Sequence, residues 1–330
     1  MIRRVLLPKS QSIVLAIAAV VFAVGLGDLR SESADPARPE PPDLAPLRQR
    51  AEAGEVQARY ELGRRYLKGE GVPRDLPKAR EWLEPAAKEG HPESMGAYGV
   101  MLARGLGVEA DAAAGFALVS RAAEAGVLTA VMNQGIMTLR GQGTTPDAAA
   151  GIALLEKAAG LGLVEAQARL AEAYYFGEGG RIGRSPELAA PWARRAAEAG
   201  NAWAQNLVGT MTEHGLGMPR DPKAALEWYR KSAAQGDAKA QSALGRMLFG
   251  RLDAPTDRIE ARYWLQASAS QGEVTAIKFL DETAEGWTPE EVAEAQRRLN
   301  ESPPPKLGPP TRLGPGPPVP REGAASPQRP

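Results

Sequence analysis

The chain has 330 residues, with 40 Lys and Arg balanced by 40 Asp and Glu, and no cysteine. This balance leaves no global field to recruit nucleic acid or an acidic surface. The missing cysteine excludes disulfides, thiolate metal sites and a cysteine nucleophile, and two histidines starve most acid–base schemes.

Met1 to Lys9 carries Arg3, Arg4 and Lys9, and Ile13 to Gly27 is continuously apolar or small. A basic start followed by such a run has the form of a secretory signal, with Gly25-Leu26-Gly27 as a small-x-small cleavage site. A permanent membrane helix usually wants about twenty residues. Residues 1–27 are therefore expected to be a cleaved signal peptide or a retained inner-membrane anchor, and Arg3-Arg4 leaves the twin-arginine route open beside the general one. Either form places the remainder of the chain outside the cytoplasmic membrane, in the periplasm. Residues 28–46 are rich in Pro and charge and read as a flexible spacer.

From residue 47 to 287 the chain repeats itself. Gly54, Gly90, Gly126, Gly162, Gly200, Gly236 and Gly272 stand 36 apart, with one step of 38. A fixed period in this range signals a stacked array, in which no unit buries its apolar face alone. The fifth copy shows the physics. Leu207, Val208 and Met211 give its first helix apolar residues at helical spacing from about Ala202 to Glu213. Gly209 inside that helix costs about 1 kcal/mol against Ala, which is repaid where another helix crosses closely. Gly63, Gly99, Gly135 and Gly245 hold the same place, with Ala171 in copy four. Gly215 and Gly217 shape the turn. Asp221 caps the second helix and Pro222 takes its first position, with Asp75, Asp111, Asp147 and Asp257 matching Asp221. Trp228 is expected to fill the gap between units, and Gly236 to end the helix in the left-handed conformation. Copy three has Gln134 where Leu is expected, and copy six loses a turn glycine at Arg251-Leu252-Asp253.

Copy four carries its two extra residues in the loop Phe176 to Arg184, which reads as drift at the array's edge or as a contact loop bearing Arg181 and Arg184. A seventh first helix is expected over Val274 to Glu285. Thr288-Pro289-Glu290-Glu291 then opens a capping helix over 288–301 through a capping box. Residues 302–330, rich in Pro and Gly, read as a disordered tail.

Gly54, Ala58, Leu62-Gly63, Tyr66, Gly69-x-Gly71-Val72, Asp75, Ala79, Trp82, Ala86-Ala87 and Gly90 together resemble the Sel-one-like repeat family, related to the tetratricopeptide repeats. The resemblance covers six full copies and a half copy. It implies an all-α fold, a right-handed α-solenoid of stacked antiparallel helix pairs that binds protein or peptide partners. It also implies that the inner curve is lined by the first helix of each copy, three, six, ten, thirteen and fourteen residues after each ladder glycine. Those positions put Tyr60, Arg64, Ile136, Arg140, Tyr175, Trp203, Asn206 and Arg246 on the partner face. Trp203 stands out because its equivalents Gln57, Glu93, Thr129, Glu165, Lys239 and Thr275 are all polar. Exposed Trp, Tyr and Arg dominate interface energetics; the other reading of Trp203 is a ring laid on the neighbouring helix.

No catalytic constellation is found. His91 and His214 lie in different copies and read as surface residues. No H-E-x-x-H, G-x-S-x-G or P-loop sequence is present. The expected function is a non-enzymatic, extracytoplasmic interaction scaffold with no cofactor, no metal and no nucleic-acid partner, touching the inner membrane only through an uncleaved N-terminus. The alternatives are a peptidoglycan or carbohydrate binder stacking sugars on Trp203 and Tyr175, and a hydrolase with a cryptic carboxylate pair.

Overall fold

The computed structural model describes residues 44–178, 180–250 and 255–305. The segment 1–27, most of the spacer, the copy-six turn at Arg251-Leu252-Asp253 and the tail from residue 306 lie outside the described residues. The described residues are all-helical apart from turns and one isolated bridge, and they form two compact units.

The first unit comprises residues 44–130 and 142–144. It holds α1 (Leu44–Glu52), α2 (Val56–Lys68), α3 (Leu76–Lys88), α4 (Pro92–Arg104), α5 (Ala112–Glu124) and the first turn of α6 (Leu128–Arg140). The second unit holds the rest of α6, then α7 (Ala148–Gly160), α8 (Val164–Phe176), α9 (Pro186–Glu198), α10 (Ala202–His214), α11 (Pro222–Ala234), α12 (Ala238–Phe249), α13 (Pro255–Ser270) and α14 (Val274–Glu282). A 3₁₀ turn (Ala284–Gly286) and α15 (Pro289–Glu301) close it. From α2 on, even-numbered helices are the first helix of each copy and odd-numbered ones the second.

Local chemistry sets these boundaries. Asp75, Asp111, Asp147 and Asp221 cap second helices by accepting from the backbone N–H three residues on, at 2.9–3.0 Å. Ser185 does the same in copy four. Asp257, expected at this place in copy six, lies instead inside the first turn of α13, which begins earlier at Pro255. The ladder glycines end the second helices at positive φ, from +80° at Gly272 to +94° at Gly236, a conformation that costs Gly nothing.

Within each pair the helices touch at the small residue. A β-carbon at Gly99 would lie 2.8 Å from the Gly115 carbonyl oxygen, and one at Gly63 only 2.6 Å from Leu83 Cγ. At Gly209 it would meet the ring of Tyr229 at 2.7 Å. Tyr229, 2% exposed, is therefore the residue wedged into the crossing. Trp228, expected to fill the gap between units, is half-buried, packs on the core cluster shared by copies four and five, and carries Lys231 4.4 Å from its ring centre. Gln134 is half-buried where its counterparts Leu62, Leu170, Val208 and Leu244 are wholly enclosed.

Successive pairs are tied by polar struts. Gln167, Gln205 and Gln241 donate to the carbonyls of Ala159, Ala197 and Ala233 at 3.1–3.2 Å, satisfying orphan groups at the ends of the preceding second helices. Gln235 reaches Gln205, and Gln271 reaches Gln241, both at 2.8 Å. Copy one builds the same link with charges, Arg59 to Glu89 at 2.6 Å, while Arg59 also donates to Ala51 O at 3.2 Å. That bond identifies α1 as a lone second helix, with Leu44, Leu47 and Ala51 buried against α2. It starts at Leu44, inside the stretch read as spacer to residue 46.

At the other end, α14 stops at Glu282 instead of Glu285. The chain turns so that Trp287, 7% exposed, packs on Phe249 with ring centres 4.8 Å apart. Thr288 and Glu291 form the expected capping box, at 2.9 and 3.2 Å. Arg258 pairs with Glu291 at 2.5 Å and also donates to the Gly286 carbonyl. No helix among the described residues is long and apolar enough to cross a membrane.

Candidate functional site

In the first unit, Tyr60 and Arg64 sit on α2 and are both half-buried. Burial pushes the Tyr60 phenol up. Arg64 reaches Glu70, in the Gly69–Gly71 turn, at 2.5 Å. The Tyr60 ring lies 5.2 Å from that of His91. His91, read as a surface residue, is a helix cap: its Nδ1 accepts from the Ser94 backbone N–H at 3.3 Å. That fixes the hydrogen of the neutral ring on Nε2, which lies 3.0 Å from Gln57 Oε1 of the preceding copy.

In the second unit the first helices bring Arg140 and Arg169 together around a shallow recess. Ile136, Leu139, Leu155 and Ala173 line its apolar part, and Glu172 and Glu178 complete it. Arg140 pairs with Glu178 and Arg169 with Glu172, each at 2.7 Å. The recess has a volume of about 10 Å³, room for no more than one water molecule. Glu178 belongs to the lengthened copy-four loop, so Arg140 holds one end of that loop. Arg184 holds the other, its guanidinium 5.4 Å from the centre of the Tyr175 ring. Gly177 makes the loop's entry at φ +73°, where a β-carbon would lie 2.8 Å from the Ile182 carbonyl oxygen.

Three residues expected on the partner face are core residues. Ile136 is 6% exposed, Tyr175 1% and Asn206 2%. Tyr175 packs edge-on against Phe176 at 5.1 Å, under Arg184, and burial pushes its phenol up. Asn206 donates to Asp237, at 3.5 Å, and Asp237 in turn caps α12. The inward-pointing rule taken from the resemblance overshot here because the next copy's cap Asp237 covers Asn206 and Arg184 of the longer loop covers Tyr175. Trp203 is half-buried and packs on the core cluster built from α8, α9 and α10, so its ring is not the open platform its polar counterparts led us to expect. Arg246 is half-buried, and its Nε is enclosed with no acceptor.

Sequence reasoning missed Glu178, Arg169 and Tyr229. Tyr229 donates to Glu213 at 2.7 Å, and burial with that carboxylate pushes its phenol well up. The signal for Tyr229 was present, since it shares its repeat position with the buried Leu83, Val119, Leu155 and Leu265. Among the described residues no group of three or more His, Asp or Glu side chains could hold a metal ion.

Helix pairs tied edge to edge by capping glycines and glutamine struts define a stacked-repeat scaffold. Residues 56–91, 92–127, 132–163, 164–201, 204–237 and 238–273 each match the Sel1 repeat, and the chain belongs to that family. Two solved structures carry the likeness further. One is described as a protective antigen present in uropathogenic Escherichia coli strains displaying an SLR fold; identity is 31% and TM-score 0.58, over 77% of this chain. This chain spans 56% of that protein's length. The other is a Sel1 repeat protein from Oxalobacter formigenes, 30% identical with a TM-score of 0.60, covering 72% of this chain and 68% of its own. No curated protein matches the chain.

Proposed function

We propose that this Sel1-repeat scaffold works outside the cytoplasmic membrane. There it grips a protein or peptide partner on the face formed by its first helices and performs no chemistry. The observation that carries this reading is the set of half-buried polar and cationic side chains that the first helices keep at the surface beside their own core residues. On the first helices Arg64, Thr210 and Arg246 share one repeat position, ten residues after their ladder glycines, with Lys239 and Arg140 at the third and fourteenth positions of theirs, and all five are half-buried.

Two points weigh against the rival readings. A sugar-stacking platform would need Tyr175 in the open, and it is enclosed. A carboxylate pair for hydrolysis would need vacant oxygens around a substrate, whereas Glu172 and Glu178 each hold an arginine beside a recess of about 10 Å³. The extracytoplasmic placement draws on the basic and apolar opening of the chain and on the E. coli relative's description as a protective antigen.

The test is photo-crosslinking in the native cell. A crosslinker replacing exposed Glu165 or Thr275, on first helices, should capture one discrete partner. One replacing exposed Glu227, on the second helix α11, should not. Equal capture from both sides would end the reading, and an alkaline phosphatase fusion inactive in cells would end the placement.

A further inference from the structure

We infer that the partner segment held by the second unit is acidic, with the Arg246 guanidinium as its anchoring cation and Lys239 as a second contact. This rests on the first-helix face being the partner surface, and it names the chemistry of what binds there.

Other arginines half-drawn out of water on this face have a carboxylate. Arg140 has Glu178 and Arg169 has Glu172, each at 2.7 Å. In the first unit Arg64, at the same repeat position as Arg246, has Glu70 at 2.5 Å. Arg246 departs from this pattern: its Nε is enclosed without an acceptor, and among the described residues no carboxylate pairs with it. The neighbouring helix α10 brings Glu213 to this region, but the Tyr229 hydroxyl takes that carboxylate at 2.7 Å, and Arg246 acts electrostatically on the same hydroxyl. A charged donor left without an acceptor in a half-buried place is a standing cost. A ligand carboxylate does not reach the enclosed Nε; it meets the terminal nitrogens of the half-buried guanidinium in a two-pronged contact and supplies the counter-charge that Arg246 lacks.

Lys239, also half-buried, has no acidic partner among the described residues. It precedes Arg246 by two helical turns, roughly 10 Å along the axis. A segment in the polyproline II conformation rises about 3.1 Å per residue with three residues per turn, so carboxylates three residues apart share one side at about 9 Å and meet both cations. Discrete carboxylates fit better than a nucleic-acid backbone. A continuous phosphate chain would run over Glu165, Glu172 and Glu213 on the same face, and the chain carries no net positive charge to offset them.

Panning a phage-displayed random peptide library against the full chain tests this. The selected peptides should be enriched in Asp and Glu, with pairs three apart. A selected peptide should bind Arg246→Gln about 10- to 100-fold more weakly. Arg246→Lys should recover only part of that, and Arg230→Gln, on the second helix α11, should leave binding unchanged. Unaltered thermal melting of Arg246→Gln separates lost binding from lost folding. Peptides selected without acidic excess, or bound equally by Arg246→Gln, overturn the inference while leaving the partner face intact. Failure to select any peptide, together with no crosslinked partner from Glu165 or Thr275, overturns both.

Discussion

A β-carbon at Gly99 would meet the backbone of Gly115, and a backbone cannot rotate aside as the tip of a side chain can. Gly99→Ala should therefore cost about 1–3 kcal/mol in urea unfolding, the usual range for overpacking. Gly160, at the end of α7, is the control, because a β-carbon there would find nothing within 4 Å. Gly160→Ala should stabilise by up to about 1 kcal/mol, through the helix propensity gained. The glycines of the first helices were legible because each sits inside an apolar helical pattern at a cost that needs a reason. Gly115 and Gly151, which meet them from the second helices, were not legible, since the other copies use Ala there. Trp228 packs, half-buried, on the core cluster shared by copies four and five, while Tyr229 beside it takes the crossing within the pair. One step along a helix turns a side chain by roughly 100°, and the sequence shows the larger ring but not which of two adjacent rings faces the crossing.

At the scale of the element, ends and caps decide what holds. The closing segment hangs on Trp287, packed with Phe249, and on the Arg258–Glu291 pair. Trp287→Ala should destabilise this segment by about 3 kcal/mol. Hydrogen exchange should then speed up in α13 and α15 and stay unchanged in α8, because each repeat depends mainly on its neighbours. The segment should also respond to acid. The Arg258 guanidinium, with the Thr288 N–H, holds the Glu291 carboxyl below its usual range. The folded state then favours the ionised form. Its contribution is full above the ordinary carboxylate pKa and is lost as pH falls through the lowered one. Exchange in α15 should accelerate over that acidic window, and Glu291→Gln should flatten the dependence; an unchanged profile in the variant would contradict the assignment. The capping box was readable in Thr288-Pro289-Glu290-Glu291. Helix α1 was not, because three buried residues, Leu44, Leu47 and Ala51, are too few for a periodic pattern beside a Pro-rich stretch, although they keep the register of the later second helices.

For the whole molecule, the helix-pair plan was legible because 36-residue spacing of glycines, caps and apolar residues agrees at many positions at once. The candidate site was legible only in part. Tyr60, Arg64, Arg140 and Arg246 keep exposed surface, whereas Ile136 is buried, Asn206 is covered by the next copy's Asp237, and Tyr175 by a loop whose path the repeat does not dictate. Burial on such a face depends on contacts made across the seam between copies, and a single copy's pattern does not contain them. The most direct measurement is a hydrogen-exchange footprint of the full chain with the crosslinked partner, purified and returned to it. The account predicts slowed exchange confined to first helices, centred on α8, α10 and α12 in the second unit. Protection confined to α9, α11 and α13, or none at all, would contradict it.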